Sequence, residues 1–263
     1  MKSSQIRPLT AADRDNGQMS MIAGSRASGN LHSRVVDTLG QEIVDGRISA
    51  GDILSPDELC ARFGVSRSVV RESLRALESM GMTLARPQVG TKVLPESDWN
   101  LLHPQIVEWR GRGNAYLDQI EQVLEVRFGI ELVASRLATR RMDDQAIEEL
   151  LATADAMATA AGAGDGTAYL DADAEFHRLI LEGSGNPLIS QFSHTVAAVS
   201  RTRRQDPGRT LTELTPGSIE DHRALADAIK QRDPNGAEAA LRTVVAHTLD
   251  EFRHSRGEEH LEI

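Results

Sequence analysis

The sequence predicts a mainly α-helical protein with an N-terminal winged helix-turn-helix and a C-terminal all-helical bundle. Aromatic residues make up only 3 % of the 263 residues, whereas Ala, Leu, Arg, Glu and Asp dominate; this composition favours packed helices over a β-sandwich. From about residue 105 to 255 the pattern is helical, and short breaks that contain Gly or Pro divide it into six or seven helices. Short extended segments are predicted only at Met82–Ala85 and Thr91–Leu94.

The chain is predicted to have five parts. Residues 1–30 lack an apolar period and are expected to form a disordered tail, 31–95 form the winged helix-turn-helix, and 96–104 form a linker. Residues 105–255 form the helical domain and 256–263 a second tail. The predicted helices of this domain are 115–140, 144–161, 167–183, 187–205, 217–232 and 234–255.

Residues 31–95 show the order helix, helix, turn, helix and hairpin. Ser55-Pro56 places a capping hydroxyl before a proline at the first position of the second helix. Ser66 caps the third helix, and its predicted buried stripe is Val69, Val70, Leu74 and Leu77. The segment 86–90 joins the two strands of the hairpin.

Several classes of protein are excluded. No apolar run approaches the ~20 residues that span a bilayer, and residues 1–30 lack the apolar stretch of a signal peptide. We therefore expect a cytoplasmic protein with no membrane contact. Cys60 is the only cysteine, which excludes an internal disulfide and a zinc site built from cysteines.

Basic residues cluster in the winged helix-turn-helix, although the whole chain has a formal net charge of -10. Within 62–92, six basic residues face only two acidic ones, and nucleic-acid binding is inferred from such a local cluster rather than from the total. Arg67, Arg71 and Arg75 recur every four residues on one side of the third helix. A row of arginines is usually a solvated face, but this one begins at the helix end that enters the major groove in helix-turn-helix proteins.

We expect these arginines to read bases, because arginine reads guanine through two hydrogen bonds. The hydroxyl groups of Ser66 and Ser68 are expected to hold phosphates together with the first amides of the helix. Arg62, on the preceding helix, is expected to contact the DNA backbone. The hairpin tip is expected to lie along or in the minor groove, with contacts from Arg86, Gln88 and Gly90.

The helical domain contains four side chains of the kind that bind divalent metal ions. Asp173 and His177 are four residues apart, so a carboxylate and an imidazole project from one face of a helix and are able to grip one cation. His222 and His247 lie on two later helices, and metal sites of helix bundles are built in the core from facing helices. Each histidine alone would more often be a capping or surface residue.

The segment from Glu58 to Glu78, ELCARFGVSRSVVRESLRALE, closely resembles the GntR-family DNA-binding domain, and the helical remainder resembles the FadR-type effector domain, also called FCD. The resemblance covers roughly 31–255. It implies a homodimer that binds palindromic double-stranded operator DNA, with half-sites ~34–36 Å apart. Many family members have a DNA-contacting arginine just before the glutamate that matches Glu58. Asp57 stands there in this chain, which leaves the operator sequence open.

The same resemblance implies a metal site. Asp173-x-x-x-His177 is similar to the FCD metal motif and the segment around His222 to the family's Glu-His-Arg segment, whereas the family's remaining histidine falls at Val244. His247 stands three residues further on. Either His247 substitutes, or the site has three protein ligands, or metal binding is weak or absent. Zinc is the expected ion, with nickel or manganese as alternatives, because nitrogen and oxygen ligands alone select weakly.

Arg127 lies in a segment that looks like the FCD segment whose arginine faces the effector pocket. A guanidinium pairs with a carboxylate through two parallel hydrogen bonds, although a pair with Glu131 at i+4, or with another nearby glutamate, is an alternative. Arg204, together with Arg201 and Arg203, is a second candidate for binding an anionic ligand, or covers the surface.

The expected function is a ligand-responsive transcriptional regulator, a repressor that a small organic acid releases from DNA, and not an enzyme. The segment 98–102, with Trp109 after it, resembles the linker of FCD regulators of sugar-acid catabolism and implies a galactonate- or gluconate-like effector. Alternatives are lactate, an amino acid, a dicarboxylate, or the metal ion alone. A metal-dependent hydrolase or isomerase built on Asp173, His177 and His222 is a further alternative, although no general base with a suitable partner is evident.

Overall fold

The computed structural model describes residues 31–113, 116–204 and 217–256, and these residues divide into two units after Asn100. The tail predicted over 1–30 lies outside the described residues, as does nearly all of the tail predicted over 256–263. The division falls inside the segment that the sequence assigns to a linker.

The first unit is the winged helix-turn-helix that the sequence predicts. Helix α1 covers 31–44 of the described residues. It is followed by β1 (Ile53–Leu54), α2 (Pro56–Phe63), α3 (Arg67–Ser79), β2 (Thr83–Arg86), β3 (Gly90–Val93) and a 3-10 turn (Glu96–Asp98).

Polar caps define the two helices of the helix-turn-helix. The Ser55 hydroxyl accepts a hydrogen bond from the Glu58 amide, and Pro56 occupies the start of α2. Gly64 ends α2 in the left-handed conformation, with φ 64°. The Ser66 hydroxyl then accepts from the Val69 amide and fixes the first turn of α3. The turn of α3 at which base contacts are expected is therefore capped by a side chain.

The wing is a three-stranded antiparallel sheet with the order β1-β3-β2. β2 and β3 match the predicted hairpin within one residue at each end, but β1 was missed because two residues are too short to show alternation. Gly90 is required where β3 starts. Its φ is +122°, and a Cβ there would lie 2.7 Å from Ile53 Cγ2.

The described residues of the second unit form helices joined by short turns and contain no strand. Its helices are α4 (Pro104–Gly111), α5 (Tyr116–Arg141), α6 (Asp144–Ala163), α7 (Gly166–Gly183), α8 (Pro187–Ser190), α9 (Ser193–Arg204), α10 (Ser218–Lys230) and α11 (Pro234–Arg256). The all-helical prediction is confirmed.

Helix α7 lies in the middle of this unit and contacts α5, α6, α8 and α9, while α10 contacts α5, α6 and α11. Large fully buried side chains such as Phe176, Leu150, Ile180 and Leu225 fill the space between these helices. The inner faces of α5, α7 and α10 also carry buried polar residues, and these form the site described below.

One predicted helix is wrong in extent. The sequence predicts a single helix over 187–205, but the structure has α8 and α9 with a turn between them. The Ser190 hydroxyl donates to the Asn186 carbonyl at 3.1 Å, and the Ser193 hydroxyl donates to the Ser190 carbonyl at 2.7 Å. These side chains offer the carbonyls an alternative to the helical hydrogen bond, which is how serine interrupts a helix.

Candidate functional site

The first candidate site is the outer face of α3. Arg67, Arg71 and Arg75 are exposed on this helix, whereas Val70 and Leu77, on its other side, are fully buried. The apolar side of α3 therefore packs against the rest of the unit, and the arginines on its other side stay accessible to solvent. The Ser66 and Ser68 hydroxyls lie 2.8 Å apart at the first turn, next to the helix amides.

A cleft of ≈ 600 Å³ separates α3 from the wing. Its lining combines residues that are distant in sequence, and basic residues are more numerous in it than the acidic Asp57 and Glu78. Six of the nine residues predicted to contact DNA line it: Arg67, Arg71, Arg75, Arg86, Gln88 and Gly90.

The arginines of this face differ in their partners. Arg67 forms an ion pair with Asp57 at 2.8 Å, and Arg75 pairs with Glu72 at 2.7 Å. Within the described part of the chain, no ion pair or hydrogen bond is found for the Arg71 guanidinium. Arg71 is therefore the arginine of α3 whose donors are all available to a base or a phosphate.

Arg62 is held by the first helix. Its two terminal nitrogens bond both carboxylate oxygens of Glu42, at 2.8 and 2.5 Å. This hydrogen bonding raises the pKa of Arg62 above its ordinary value. A contact between Arg62 and the DNA backbone would use the edge of the guanidinium that faces away from Glu42.

The second candidate site is a triangle of buried donor atoms between α7 and α10. Asp173 Oδ1, His177 Nε2 and His222 Nε2 are separated by 3.6, 3.4 and 3.3 Å. The three residues are 6 %, 0 % and 3 % exposed. The structure thus brings together three of the four residues predicted as metal ligands.

Helix geometry and packing position these side chains. One turn of α7 separates Asp173 from His177, and α10 brings His222 in from the facing side. The Phe176 ring contacts the His177 and His222 rings edge-on, with ring centroids 5.5 and 5.2 Å apart. Phe176 therefore limits the rotation of both imidazoles.

The remaining ring nitrogens fix the tautomers. His222 Nδ1 lies 2.6 Å from the Ser218 carbonyl oxygen, which only accepts hydrogen bonds. The Nδ1–H must therefore donate, and the Nε2 lone pair of the neutral ring faces the triangle. His177 Nδ1 lies 2.7 Å from Glu131 Oε2, within ion-pair distance although not aligned as a hydrogen bond.

Glu131 extends this arrangement to Arg127. The Arg127 Nε donates to Glu131 Oε1 at 2.6 Å, and both residues are buried. Glu131 was considered in the sequence only as a competing partner of Arg127. Its burial could have been inferred from the helical spacing. Arg127 and Glu131 fall on the same stripe of α5 as the buried residues Leu124, Ala134 and Ala138.

The electrostatics of the cluster favour a cation. Burial alone would raise the pKa of the Asp173 carboxyl, but the adjacent His177 and His222 rings and the Arg127 charge hold this pKa well below its ordinary value. Burial would also raise the pKa of Glu131, but the Arg127 charge and His177 outweigh this effect and lower it. Two carboxylates and one guanidinium carry a net negative charge, and a buried charge needs a counterion. A divalent ion supplies it, and so does a protonated His177, because Glu131 and Asp173 raise the pKa of His177 although burial and the Arg127 charge oppose this.

The triangle also has the dimensions of a metal site. Oxygen and nitrogen ligands lie about 2.0–2.2 Å from a tetrahedral zinc ion and hence about 3.3–3.6 Å from one another. The three observed separations fall in that range. The residues therefore fit a divalent ion with three protein ligands and a remaining coordination position.

His247 and Val244 lie on α11 and outside this triangle. His247 Nδ1 is 2.6 Å from Asp221 Oδ2, and its side chain is 35 % exposed. Among the described residues, the group of potential metal ligands contains Asp173, His177 and His222 and does not include His247.

Two arginines were predicted to bind the effector. Arg127 is 7 % exposed, and its Nε donates to Glu131. Within the described ranges, no hydrogen bond is found for the terminal nitrogens of its guanidinium. Arg204 ends α9, but its side chain lies outside the described part of the structure, as does that of Arg203. Arg201 pairs with Glu108 at 2.6 Å.

In the described part of the chain, every helix is too short or too polar to cross a membrane.

The chain matches two family models. Residues 31–93 match the model for bacterial regulatory proteins of the gntR family, and residues 122–247 match the model for the FCD domain. The two matches lie in the first and second units respectively.

Related proteins match both units. The chain is 28 % identical over 218 residues to the galactonate operon transcriptional repressor of Escherichia coli strain K12, across 82 % of this chain and 94 % of the relative. It is 31 % identical over 231 residues to the HTH-type transcriptional repressor NanR of Citrobacter rodentium, across 81 % of this chain and 82 % of the relative. A solved structure of Lar, which controls the Listeria monocytogenes agr system, has a TM-score of 0.59 at 16 % identity and covers 85 % of this chain and 96 % of its own. That likeness shows the fold alone.

Proposed function

The chain belongs to the GntR family of bacterial regulatory proteins with an FCD domain, and from this membership we propose that it is a repressor that a sugar acid releases from operator DNA. The family and the names of its relatives identify a DNA-binding transcriptional regulator, not an enzyme. We place its action in the cytoplasm, where operator DNA is found.

DNA recognition is proposed to run through α3 and the wing. Arg71 contacts a base edge, and all its donors are available for this contact. Arg67 contacts a second base while its guanidinium remains paired with Asp57. Ser66 and Ser68 bind a phosphate at the helix N-terminus, and Arg62 contacts the backbone. Arg75, Arg86, Gln88 and Gly90 complete the contact surface along the cleft.

The observation that carries the effector site is the buried triangle of Asp173, His177 and His222. We propose that these residues hold one divalent ion, zinc by preference, with nickel or manganese as alternatives. FCD domains bind metal ions, and the dimensions of the triangle support this assignment. When bound, the ion supplies a coordination position for oxygen atoms of an acid.

Arg127 is proposed to take the effector's carboxylate. No residue in the described part of the chain bonds its terminal nitrogens, and the nearby carboxylates of Glu131 and Asp173 keep the guanidinium charged although burial opposes this. A galactonate- or gluconate-like acid suits such a site because hydroxyl groups stand next to its carboxylate. The similarity to a repressor named for the galactonate operon supports this class.

We further propose that two chains act together, so that two copies of α3 meet a palindromic operator. The acid then regulates the protein by binding the DNA-free arrangement more tightly than the DNA-bound one, since only differential affinity shifts such an equilibrium.

The test is a thermal-shift panel on the full chain with aldonates, lactate, dicarboxylates and amino acids, with and without a chelator. An acid at about 100 times its Kd stabilises the fold by about 2.7 kcal/mol. We expect one sugar acid to raise the Tm, the chelator to abolish the rise, and the same acid to release operator DNA. A rise that is independent of the chelator would contradict the metal site, and release by the ion alone would indicate a metal sensor.

A further inference from the structure

One face of α5 points away from the core and is apolar at its centre. Val126 and Val133 are 41 % and 50 % exposed, and Gly129 lies between them and is also exposed. Their spacing of three and four residues places them on one stripe of the helix. Arg127 and Glu131, which face the buried site, are on the other side.

Gly129 has no role in the packing of its own unit. Glycine in a helix interior is less favourable than alanine. At Gly111 and Gly183 a Cβ would lie 2.4 Å from Thr202 and Met142 side-chain atoms, which explains these glycines. Around Gly129 nothing in the described chain lies within 4 Å of a Cβ position. The space beside Gly129 is therefore open to another molecule.

The exposed charges of α5 change sign on either side of Gly129. Asp118 and Glu125 are exposed on this stripe in the N-terminal half, and Arg140 is exposed on it in the C-terminal half. Gly129 is the midpoint between Asp118 and Arg140. When the helix is turned end over end about Gly129, Asp118 takes the position of Arg140, and Val126 falls one residue from the position of Val133.

We infer that two copies of this chain pair through this stripe, with the two α5 helices antiparallel and a two-fold axis at Gly129. Self-complementarity of this kind is what an isologous interface requires. Val126 packs against the partner's Val133, Gly129 lets the two backbones approach, and Asp118 faces the partner's Arg140. The inference deepens the proposed two-chain assembly by locating its interface.

A matched pair of glycine substitutions tests the position of the axis. Gly162, in α6, is also exposed and has nothing within 4 Å of a Cβ position. Sedimentation of the full chain, without DNA, acid or added metal, is expected to give a dimer for the natural protein and for Gly162→Arg. Gly129→Arg is expected to weaken dimerisation at least tenfold while helix content and Tm are maintained. A natural chain that is monomeric, or a Gly129→Arg dimer of undiminished affinity, would overturn the inference.

A charge exchange tests the antiparallel register. The helix dipole alone favours acids at the start and bases at the end of α5, but only pairing across a two-fold axis couples Asp118 to the partner's Arg140. Arg140→Asp is expected to weaken the dimer, and adding Asp118→Arg is expected to restore it. No restoration would contradict this register.

Oxidative cross-linking covers the case in which Gly129→Arg does not fold. In a Cys60→Ser background, Gly129→Cys is expected to form a disulfide-linked dimer, because Cα atoms about 4.4–6.8 Å apart are bridged without strain. Gly162→Cys is expected to remain unlinked. Equal linking of both variants would overturn the inference. These readouts involve neither operator nor acid, so they separate a wrong interface from a wrong function.

Discussion

Glu131 Oε2 lies 2.7 Å from His177 Nδ1, and both side chains are fully buried. Carboxylates in this position orient a metal-binding histidine and raise its basicity. Arg127 neutralises the same carboxylate from the other side. The chain Arg127–Glu131–His177 therefore connects the proposed effector arginine to the proposed metal ligand through a single acidic residue.

Glu131→Gln is expected to weaken metal binding about 10–100-fold, because the amide keeps the shape but removes the charge that supports His177. Competition with a chromophoric chelator measures this change in Kd. Glu149→Gln, at an exposed position on α6, serves as the control and is expected to behave like the natural protein. Equal affinities for the two variants would show that Glu131 does not support the metal site.

Arg67→Ala is expected to reduce operator affinity by about 1–3 kcal/mol while leaving acid binding unchanged, since a bidentate contact to guanine contributes about that much to discrimination. Fluorescence anisotropy with operator and with unrelated DNA measures both affinities. Arg242→Ala, on α11 in the other unit, is the control. Normal operator affinity in Arg67→Ala would contradict the assignment of α3 as the recognition helix.

Asp57→Ala is expected to reduce the ratio of operator to non-specific affinity about fivefold, which is about 1 kcal/mol. The Asp57–Arg67 pair is largely exposed, with side chains 70 % and 77 % accessible, so its loss leaves the Tm nearly unchanged. The carboxylate instead restrains the orientation of Arg67 and repels phosphates. A ratio equal to that of the natural protein would mean that the ion pair has no role in recognition.

Gly90→Ala is expected to destabilise the wing by about 1–3 kcal/mol, because a residue with a side chain would be strained at φ +122° and its Cβ would collide with Ile53. We expect weaker operator binding with acid binding retained. Gly162→Ala provides the contrast, since the added methyl meets nothing and helix propensity improves. Chemical denaturation with operator titration distinguishes the two effects.

The sequence was sufficient for the elements whose signals are local. Ser55-Pro56, Gly64 and Ser66 define the helix-turn-helix because caps act within one turn. The strand Ile53–Leu54 was missed because its pairing with β3 is tertiary and leaves no periodicity in two residues.

The candidate metal centre was predicted only in part for a similar reason. Asp173 and His177 share one helix face, which the i+4 spacing reveals. Whether His222 or His247 joins them depends on how α10 and α11 pack against α7, and the sequence does not contain that information. In the structure, His247 Nδ1 instead lies within hydrogen-bond distance of Asp221 Oδ2. Glu131 was predicted only as a competing partner of Arg127, although its phase with Leu124, Ala134 and Ala138 on α5 indicates a buried position.

The most direct test of the metal centre is the zinc content of the purified full chain after equilibrium dialysis, measured by mass spectrometry for the natural protein, His222→Ala and His247→Ala. The proposed site predicts about one ion per chain in the natural protein and in His247→Ala, and a near-complete loss in His222→Ala. Retention of zinc by His222→Ala, or its loss from His247→Ala, would contradict a centre built on Asp173, His177 and His222.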